Sequence, residues 1–473
     1  MANNLIGQDR NTEAARGKSI HQTRPQNVQF EELPLLQDVL YSIISKLPPK
    51  EYARTSVLSS RWRCMWSECP RLTFDAAKIC NGVRDDLHQH TDEFIHKVNA
   101  VLQKHQGMVV ETLEIRIDFV DSLIHYLDNW IDFAVSSRTK NLTLDLKPLK
   151  FPGRNDHYMF PFKLLDDGSV RRLQHMQLSF VFLKLPSQFS GFPNLRKLYL
   201  QVVQASRKDL EHILSHCCKL EWLRIDRCNL NDELTVDGLL PHLLYLYVEH
   251  CKLTRIKFHA VNLATFRYDG EFIPIDLNHS SKLQNAYFRL NEAVSQKVLK
   301  GLPNVQCLTL RIGWQHLEKQ WLWDNPLKFH HLRHLQLFMF SHFEHVDKIL
   351  LYLISFLRAT PFIEKLEVHY SGFALWLADV GPHRQDFGQC KYLYLKDMWI
   401  TGFKAARGQL EFLLHVVENA PALEAITVDT KQRHSMDFSP YTDRGPPFEE
   451  ARRIAKASLS TTSLPQNARL RVI

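Results

Sequence analysis

A chain of 473 residues with 45% hydrophobic and 23% charged content has the composition of a soluble folded protein, yet it is too long for one compact core unless it grows by adding repeats. The formal charge of +8 is mild for this length and gives no support to nucleic-acid binding; nine cysteines without paired spacing read as free thiols in a reducing compartment, cytoplasm or nucleus. No apolar run in the first thirty residues resembles a signal-peptide core. The most apolar stretch, Ile349 to Leu357, is far short of the ~20 residues that span a bilayer, so no membrane partner is expected.

Residues 1–29 are polar with few apolar side chains, and are expected to be a disordered tail. At Phe30 the texture changes. Val39, Leu40, Ile43, Ile44 and Leu47 fall at helical spacing on one face, and Pro48-Pro49 stops that helix and can start a second. Val57, Leu58, Trp62, Met65 and Trp66 then mark a third. Three short amphipathic helices offer more apolar face than they can hide from water, so residues 30–72 need a partner or a neighbouring domain.

The same residues resemble the F-box, by which substrate receptors dock on the Skp adaptor of a cullin-RING ubiquitin ligase. Leu33, Pro34, Asp38, Leu40, Ile43, Leu47, Pro48, Arg54, Ser56, Leu58, Ser59, Trp62, Arg63 and Trp66 occupy the places of its motif. Leu35-Leu36-Gln37 departs from that motif as a two-residue insertion near the start of the first helix. By this resemblance the adaptor contacts come from Leu33, Pro34, Leu40, Ile43, Leu47, Pro48, Leu58 and Trp62, and the cullin is reached through the adaptor.

Pro70 to Asp75 reads as a strand, and residues 76–107 are polar and helical, holding Phe94, Ile95, Val98 and Val101-Leu102. ETLEIRIDF (111–119) and NLTLDL (141–146) read as strands on either side of a helix whose face is Leu123, Leu127, Trp130, Ile131 and Ala134. A frame L-x-x-L-x-L then repeats. Its best copies start at Leu195, Leu220 and Leu243, with further copies at Leu173, Leu263, Leu283, Val305, Leu332, Ile363, Cys390 and Leu423, at intervals of 20 to 33 residues. Alternating apolar side chains make each copy a strand that buries every second residue, and no single copy can cover its apolar edge. Stacked copies can. Residues 73–436 therefore resemble an irregular, intracellular leucine-rich-repeat array, which implies a curved solenoid with a parallel sheet on its concave side. Cys228/Leu230 and Cys251/Leu253 fall where such repeats turn away from the strand, and there a small Cys can pack inward and bond the turn backbone. The order of F-box, strand, helix and repeats is similar to the large F-box/leucine-rich-repeat families of plants.

Late repeats are long enough for helices at Val346 to Arg358 and at Arg407 to Glu418, the latter with Leu410, Leu413, Leu414 and Val417 inward. Residues 437–473 read as a linker and cap: a turn-rich link, an amphipathic helix in FEEARRIAKASL (448–459) and a final edge strand in RLRVI.

In this frame the third, fifth and seventh places leave the concave face. Tyr199, Arg224, Tyr247, Arg267 and Tyr287 occupy the fifth place in turn, a row of tyrosine and arginine spanning roughly 19 Å at strand spacing. The seventh place gives Asp226, Glu249, Asp269, then Arg289 and Arg311, acidic turning basic. Tyrosine and arginine anchor many protein interfaces, so these residues are the candidate contacts to a protein substrate. The alternative is that Arg224 and Arg267 pair with Asp226, Asp269 and the flanking rings. Cys217, Cys218 and Cys228 lack C-x-x-C spacing, and His330, His331, His334, His342 and His345 lack a convergent arrangement, so no metal or cofactor is expected. No nucleotide loop, nucleophile elbow or paired carboxylates are present. The sequence reads as a binder and not an enzyme: a ligase substrate receptor, with a ligase-independent scaffold or a small-molecule sensor as alternatives.

Overall fold

The computed structural model describes residues 69–80, 87–105, 109–230, 232–236, 240–271, 273–277, 279–290, 302, 304–313, 329–341, 353–354, 356–372, 390–431, 448–462, 464–465 and 468–473. All lie in the larger of its two units, Pro48–Ile473. The expected tail, the three F-box helices with the Leu35–Gln37 insertion, His342, His345, the start of the helix expected at Val346 and the link Asp437 to Pro447 lie outside the described residues.

Among the described residues, fifteen strands form one sheet in strict chain order, from Arg71–Asp75 to Arg469–Val472, and every neighbouring pair is parallel. This is the architecture of a leucine-rich-repeat solenoid, one strand per repeat. The three apolar places of the frame are buried in copy after copy: Leu195, Leu198 and Leu200; Leu220, Leu223 and Ile225; Leu243, Leu246 and Val248. From the Leu195 copy onward, a fourth buried residue stands three positions before the frame, and its carbonyl accepts the N–H of the frame's first residue. Phe192 with Leu195, Cys217 with Leu220, Leu240 with Leu243 and Ala260 with Leu263 are examples. Pro193, Pro241, Pro361 and Pro421 each follow that residue, as suits the second position of a tight turn.

That turn corrects one expected register. The frame set at Cys390 is instead Leu395, Met398 and Ile400, on the strand Asp397–Thr401, with Tyr392 supplying the turn carbonyl. Leu393 and Tyr394, expected within a strand, are exposed, whereas Met398 and Ile400 have no accessible surface. CKYLYL and LKDMWI both fit the apolar pattern. Only the second aligns with the Glu364–Lys365 step of the preceding strand, through the bonds of Lys396 and Asp397 to the Glu364 carbonyl. At the other end, the ladder starts earlier than the frame could be read, with Cys69, Val110 and Thr139 buried in its first place.

What fills the other side of each repeat follows from its length. The helix Ile124–Ser136 buries Leu127, Trp130, Ile131 and Ala134, and the helix Arg207–Ser215 starts on Ser206, whose hydroxyl accepts the Asp209 N–H. Repeats of 20 to 23 residues have no room for a helix after strand and turn. There, Asp232–Val236, Leu253–Phe258 and Ile275–Asp276 make a separate three-stranded parallel sheet. The helix Arg407–Asn419 buries Gln409, Phe412, Leu413, Val416 and Val417. Leu410 and Leu414, expected inward, are only half-buried, because Gln409 turns in to bond the Gly402–Ala406 loop and rotates the face. The helix Phe448–Ser460 buries Ala451, Ala455 and Leu459 along one stripe. Arg469–Val472 is the last strand, and its arginines leave a charged margin that discourages further pairing.

A strained residue recurs where the central strands end. Phe180, Val202, Arg227 and His250 each directly follow the seventh frame place and each has a φ between 51° and 60°. The left-handed region costs a side-chain-bearing residue roughly 1–2 kcal/mol, which the packing of successive identical turns sustains here.

A candidate protein-interaction face

The frame buries its fourth and sixth places and turns its third, fifth and seventh to the other face of the sheet. Strand register brings each place into a continuous row. The fifth runs Gln177, Tyr199, Arg224, Tyr247, Arg267, Tyr287, Thr309, Gln336, Glu367, Trp399, Thr427. Trp399 takes the place expected for Tyr394, by the register change above. Tyr199, Arg224, Tyr247, Arg267 and Tyr287 thus do lie side by side, on five adjacent strands. The seventh place likewise aligns Gln201, Asp226, Glu249, Asp269, Arg289 and Arg311.

The two rows pair with each other. Arg224 Nη2 lies 2.7 Å from Glu249 Oε2 and Arg267 Nε 2.5 Å from Glu249 Oε1, so one carboxylate holds two guanidinium groups. Arg289 Nη1 is 3.5 Å from Asp269 Oδ2, and Arg227 Nη1 is 3.3 Å from Asp226 Oδ2. His250 bridges Asp226 and Asp269 at 3.2 and 3.5 Å. Pairing was one of the two readings of the row, but its principal acceptor is Glu249. The arginines also lie over rings: Arg224 Cζ is 5.0 Å from the Tyr199 centroid and Arg267 Cζ 4.3 Å from that of Tyr287. Burial pushes the Tyr199 phenol up to about 12, with Arg224 pulling the other way, and burial raises that of Tyr247. Both are neutral hydrogen-bonding rings at physiological pH.

Trp222 and Tyr245, in the third place, extend this surface and were not singled out by the sequence reading. Trp222 packs edge-on between Tyr199 and Tyr247, with centroids 6.2 and 5.8 Å away, and Tyr245 is exposed. Tyrosine and arginine do not alternate in the third place, which runs Lys197, Trp222, Tyr245, Thr265 and Asn285; only its two adjacent aromatic residues could have marked them.

Toward the C-terminal strands the same face carries a second cluster. Glu367, almost fully buried, accepts from Gln336 at 2.9 Å and lies 2.6 Å from Lys365, with His334 at 3.0 Å and His369 at 3.3 Å. Burial disfavours its charge, yet His334, His369 and Lys365 outweigh that and hold the carboxyl far below the usual range. His334, bonded to the Cys307 thiol and to Glu367, is raised to about 9. His330 and His331 sit in the turn before this strand, apart from the cluster. Among the described residues, no group of three His, Cys, Asp or Glu side chains is placed to hold a metal ion, and no helix is long and apolar enough to cross a membrane. A cavity of about 240 Å³ at the ends of the first three strands is lined by Asp75, Asp118, Asp145, Arg116, Lys147 and His90 among others, so acidic and basic groups mix there. The expected adaptor contacts, Leu33, Pro34, Leu40, Ile43, Leu47, Pro48, Leu58 and Trp62, lie outside the described residues.

The family model of the At1g61320/AtMIF1 leucine-rich-repeat domain matches residues 101–461, and that of the F-box domain matches residues 33–74. The chain belongs to this F-box/leucine-rich-repeat family. Among its relatives in Arabidopsis thaliana, the F-box/FBD/LRR-repeat protein At1g13570 is 25% identical over 418 residues, covering 85% of this chain and 91% of that one. The F-box/FBD/LRR-repeat protein At4g26340 is 23% identical over 442 residues, covering 91% of this chain and 97% of its own. Members of the F-box/leucine-rich-repeat family are in general adaptors without catalytic residues.

Proposed function

We propose that this F-box/leucine-rich-repeat protein is a substrate receptor of a Skp–cullin–F-box ubiquitin ligase. The observation that carries the reading is the presence in one chain of an F-box, matched at residues 33–74, and a repeat domain, matched at 101–461. Residues 30–72 dock on the Skp adaptor through Leu33, Pro34, Leu40, Ile43, Leu47, Pro48, Leu58 and Trp62. Residues 73–436 hold the protein to be modified, and 437–473 close the last open layer. Tyr199, Arg224, Tyr247, Arg267, Tyr287, Arg289 and Arg311 face that substrate. The mechanism is proximity: a receptor held on the ligase raises the local concentration of substrate beside a ubiquitin-charged enzyme, and no residue of the receptor itself does chemistry. The reading requires a cytoplasmic or nuclear location.

Co-purification with a Skp-type adaptor tests it. Wild-type chain retains the adaptor, and Leu40→Ala combined with Pro48→Ala releases it while the thermal transition of the repeats stays in place. A wild-type chain that purifies without adaptor when the two are co-expressed would leave a ligase-independent scaffold as the reading.

A further inference from the structure

The arginine row and the acidic row are not equal in what they show to a partner. Asp226, Glu249 and Asp269 form a floor: their side chains keep 4, 5 and 6% of their accessible surface. Arg224, Arg227, Arg267 and Arg289 lie above, at 36, 43, 39 and 30%. An approaching molecule therefore meets guanidinium edges and tyrosine rings, and hardly any carboxylate. Arg311, next in the row, is itself buried, so four accessible arginines stand over three covered acids on this patch.

The floor also holds the arginines still. Each of Arg224 and Arg267 is tied to Glu249 at one end and laid on a tyrosine ring at its face, so little rotamer freedom remains to be lost on binding. A guanidinium has five N–H donors; the contact to Glu249 and a buried Nε use part of that set, and side chains that keep 36 and 39% of their surface leave the rest within reach of a ligand. The geometry points to recognition of an acidic segment, rich in Asp and Glu, laid across the strands from Trp222–Asp226 to Asn285–Leu290. This rests on the substrate-receptor reading and names the chemical class of what that face captures.

Spacing favours distributed carboxylates over one phosphate. Arg224 and Arg267 stand two strands apart, about 10 Å at usual strand spacing, with Tyr247 between them, and Arg289 follows one strand on. A single phosphate is best held by cations converging within a few ångströms of one point, whereas an extended acidic chain offers a charge to each arginine in turn. Half-buried Trp222 and exposed Tyr245 supply apolar contact along the same line.

The test is a fluorescence-anisotropy titration of the full chain with three short labelled peptides: one of Asp, Glu and Gly, its Asn/Gln counterpart, and that counterpart carrying one phosphoserine. The acidic peptide is expected to bind about tenfold more tightly than the neutral one at low salt and to lose most of that margin at about 0.5 M salt. Arg267→Gln combined with Arg289→Gln should weaken it by about tenfold, and Glu249→Gln, which removes a floor charge while its amide oxygen still accepts from an arginine and the tyrosine rings still hold both guanidinium groups, should tighten it by about threefold. Opposite signs from two variants of one pair are not produced by misfolding. Equal affinity for acidic and neutral peptides, preference for the phosphoserine peptide, or both variants shifting the same way would each overturn the inference. The titration uses neither adaptor nor ligase, so its failure leaves the receptor reading standing, and loss of adaptor docking leaves the peptide result standing.

Discussion

The sulfur of Cys251 accepts the backbone N–H of Cys228 at 3.4 Å, across two successive repeats. Each thiol in turn donates toward carbonyls at the end of a strand. Cys228 lies 3.5 Å from the Leu200 and Asp226 oxygens, and Cys251 lies 3.2 Å from that of Glu249 and 3.6 Å from that of Ile225. Both are buried, so the turns that lead out of these strands depend on sulfur for bonds that water cannot supply. Cys251→Ala removes the acceptor and donor together and leaves a small void. It is expected to cost about 1–2 kcal/mol, read as a lower midpoint in urea with unchanged slope. Asp226, Glu249 and the left-handed residues Arg227 and His250 sit on the same turns, so the variant should also weaken the arginine floor. An unchanged midpoint would show that the thiols only fill space.

The placement of the strand Asp397–Thr401 yields a second expectation. If Leu395, Met398 and Ile400 are the buried frame, a charge at Leu393 meets water and one at Ile400 meets the core. Leu393→Glu should change stability by less than about 0.5 kcal/mol, and Ile400→Glu should cost about 4 kcal/mol or abolish a cooperative transition. Thermal melting of the two variants decides between the registers. The reverse order of effects would restore the frame at Cys390.

Why was so much of this fold legible, and this strand not? A parallel ladder whose repeats differ only in their loops prints one apolar rhythm on the chain. Leu195 to Leu253 shows it because three near-perfect copies follow at short intervals. The rhythm also located the helix face of Leu127, Trp130, Ile131 and Ala134 and the final strand at RLRVI. It fails where two overlapping copies compete, as in CKYLYLKDMWI, because periodicity does not say which strand edge is already waiting. It fails again at Gln409, a polar side chain that turns inward for hydrogen bonds and displaces Leu410 and Leu414 from the expected stripe. On the open face, sequence brought the tyrosines and arginines together correctly but could not rank their partners. Glu249 serves two arginines because of side-chain reach across strands, and that is invisible in one dimension.

The Glu367 cluster should make stability depend on pH with a definite sign. His334 is raised from 6.5 to about 9 by the Cys307 thiol and by Glu367, so the stability it adds is fully present below 6.5 and is lost as pH rises through about 9. Glu367 is depressed from 4.5, so its part is present above 4.5 and is lost only as pH falls through its low folded value. Lys365, His369 and Asp397 complete the charged and titratable groups around this pair, and Lys365 is itself raised by its bond to Glu367. The cluster therefore contributes most between pH 4.5 and 6.5, and urea midpoints should fall between pH 6.5 and 9. Glu367→Gln removes the acceptor charge but keeps the shape. It should cost roughly 1–3 kcal/mol at pH 6 and flatten that fall, with the His334 midpoint in an NMR titration moving down from about 9. The shift will be partial, because the Cys307 thiol is the larger cause and remains. Were the His334 midpoint to stay where it is in Glu367→Gln, the carboxylate would not be the group that organises this end of the face.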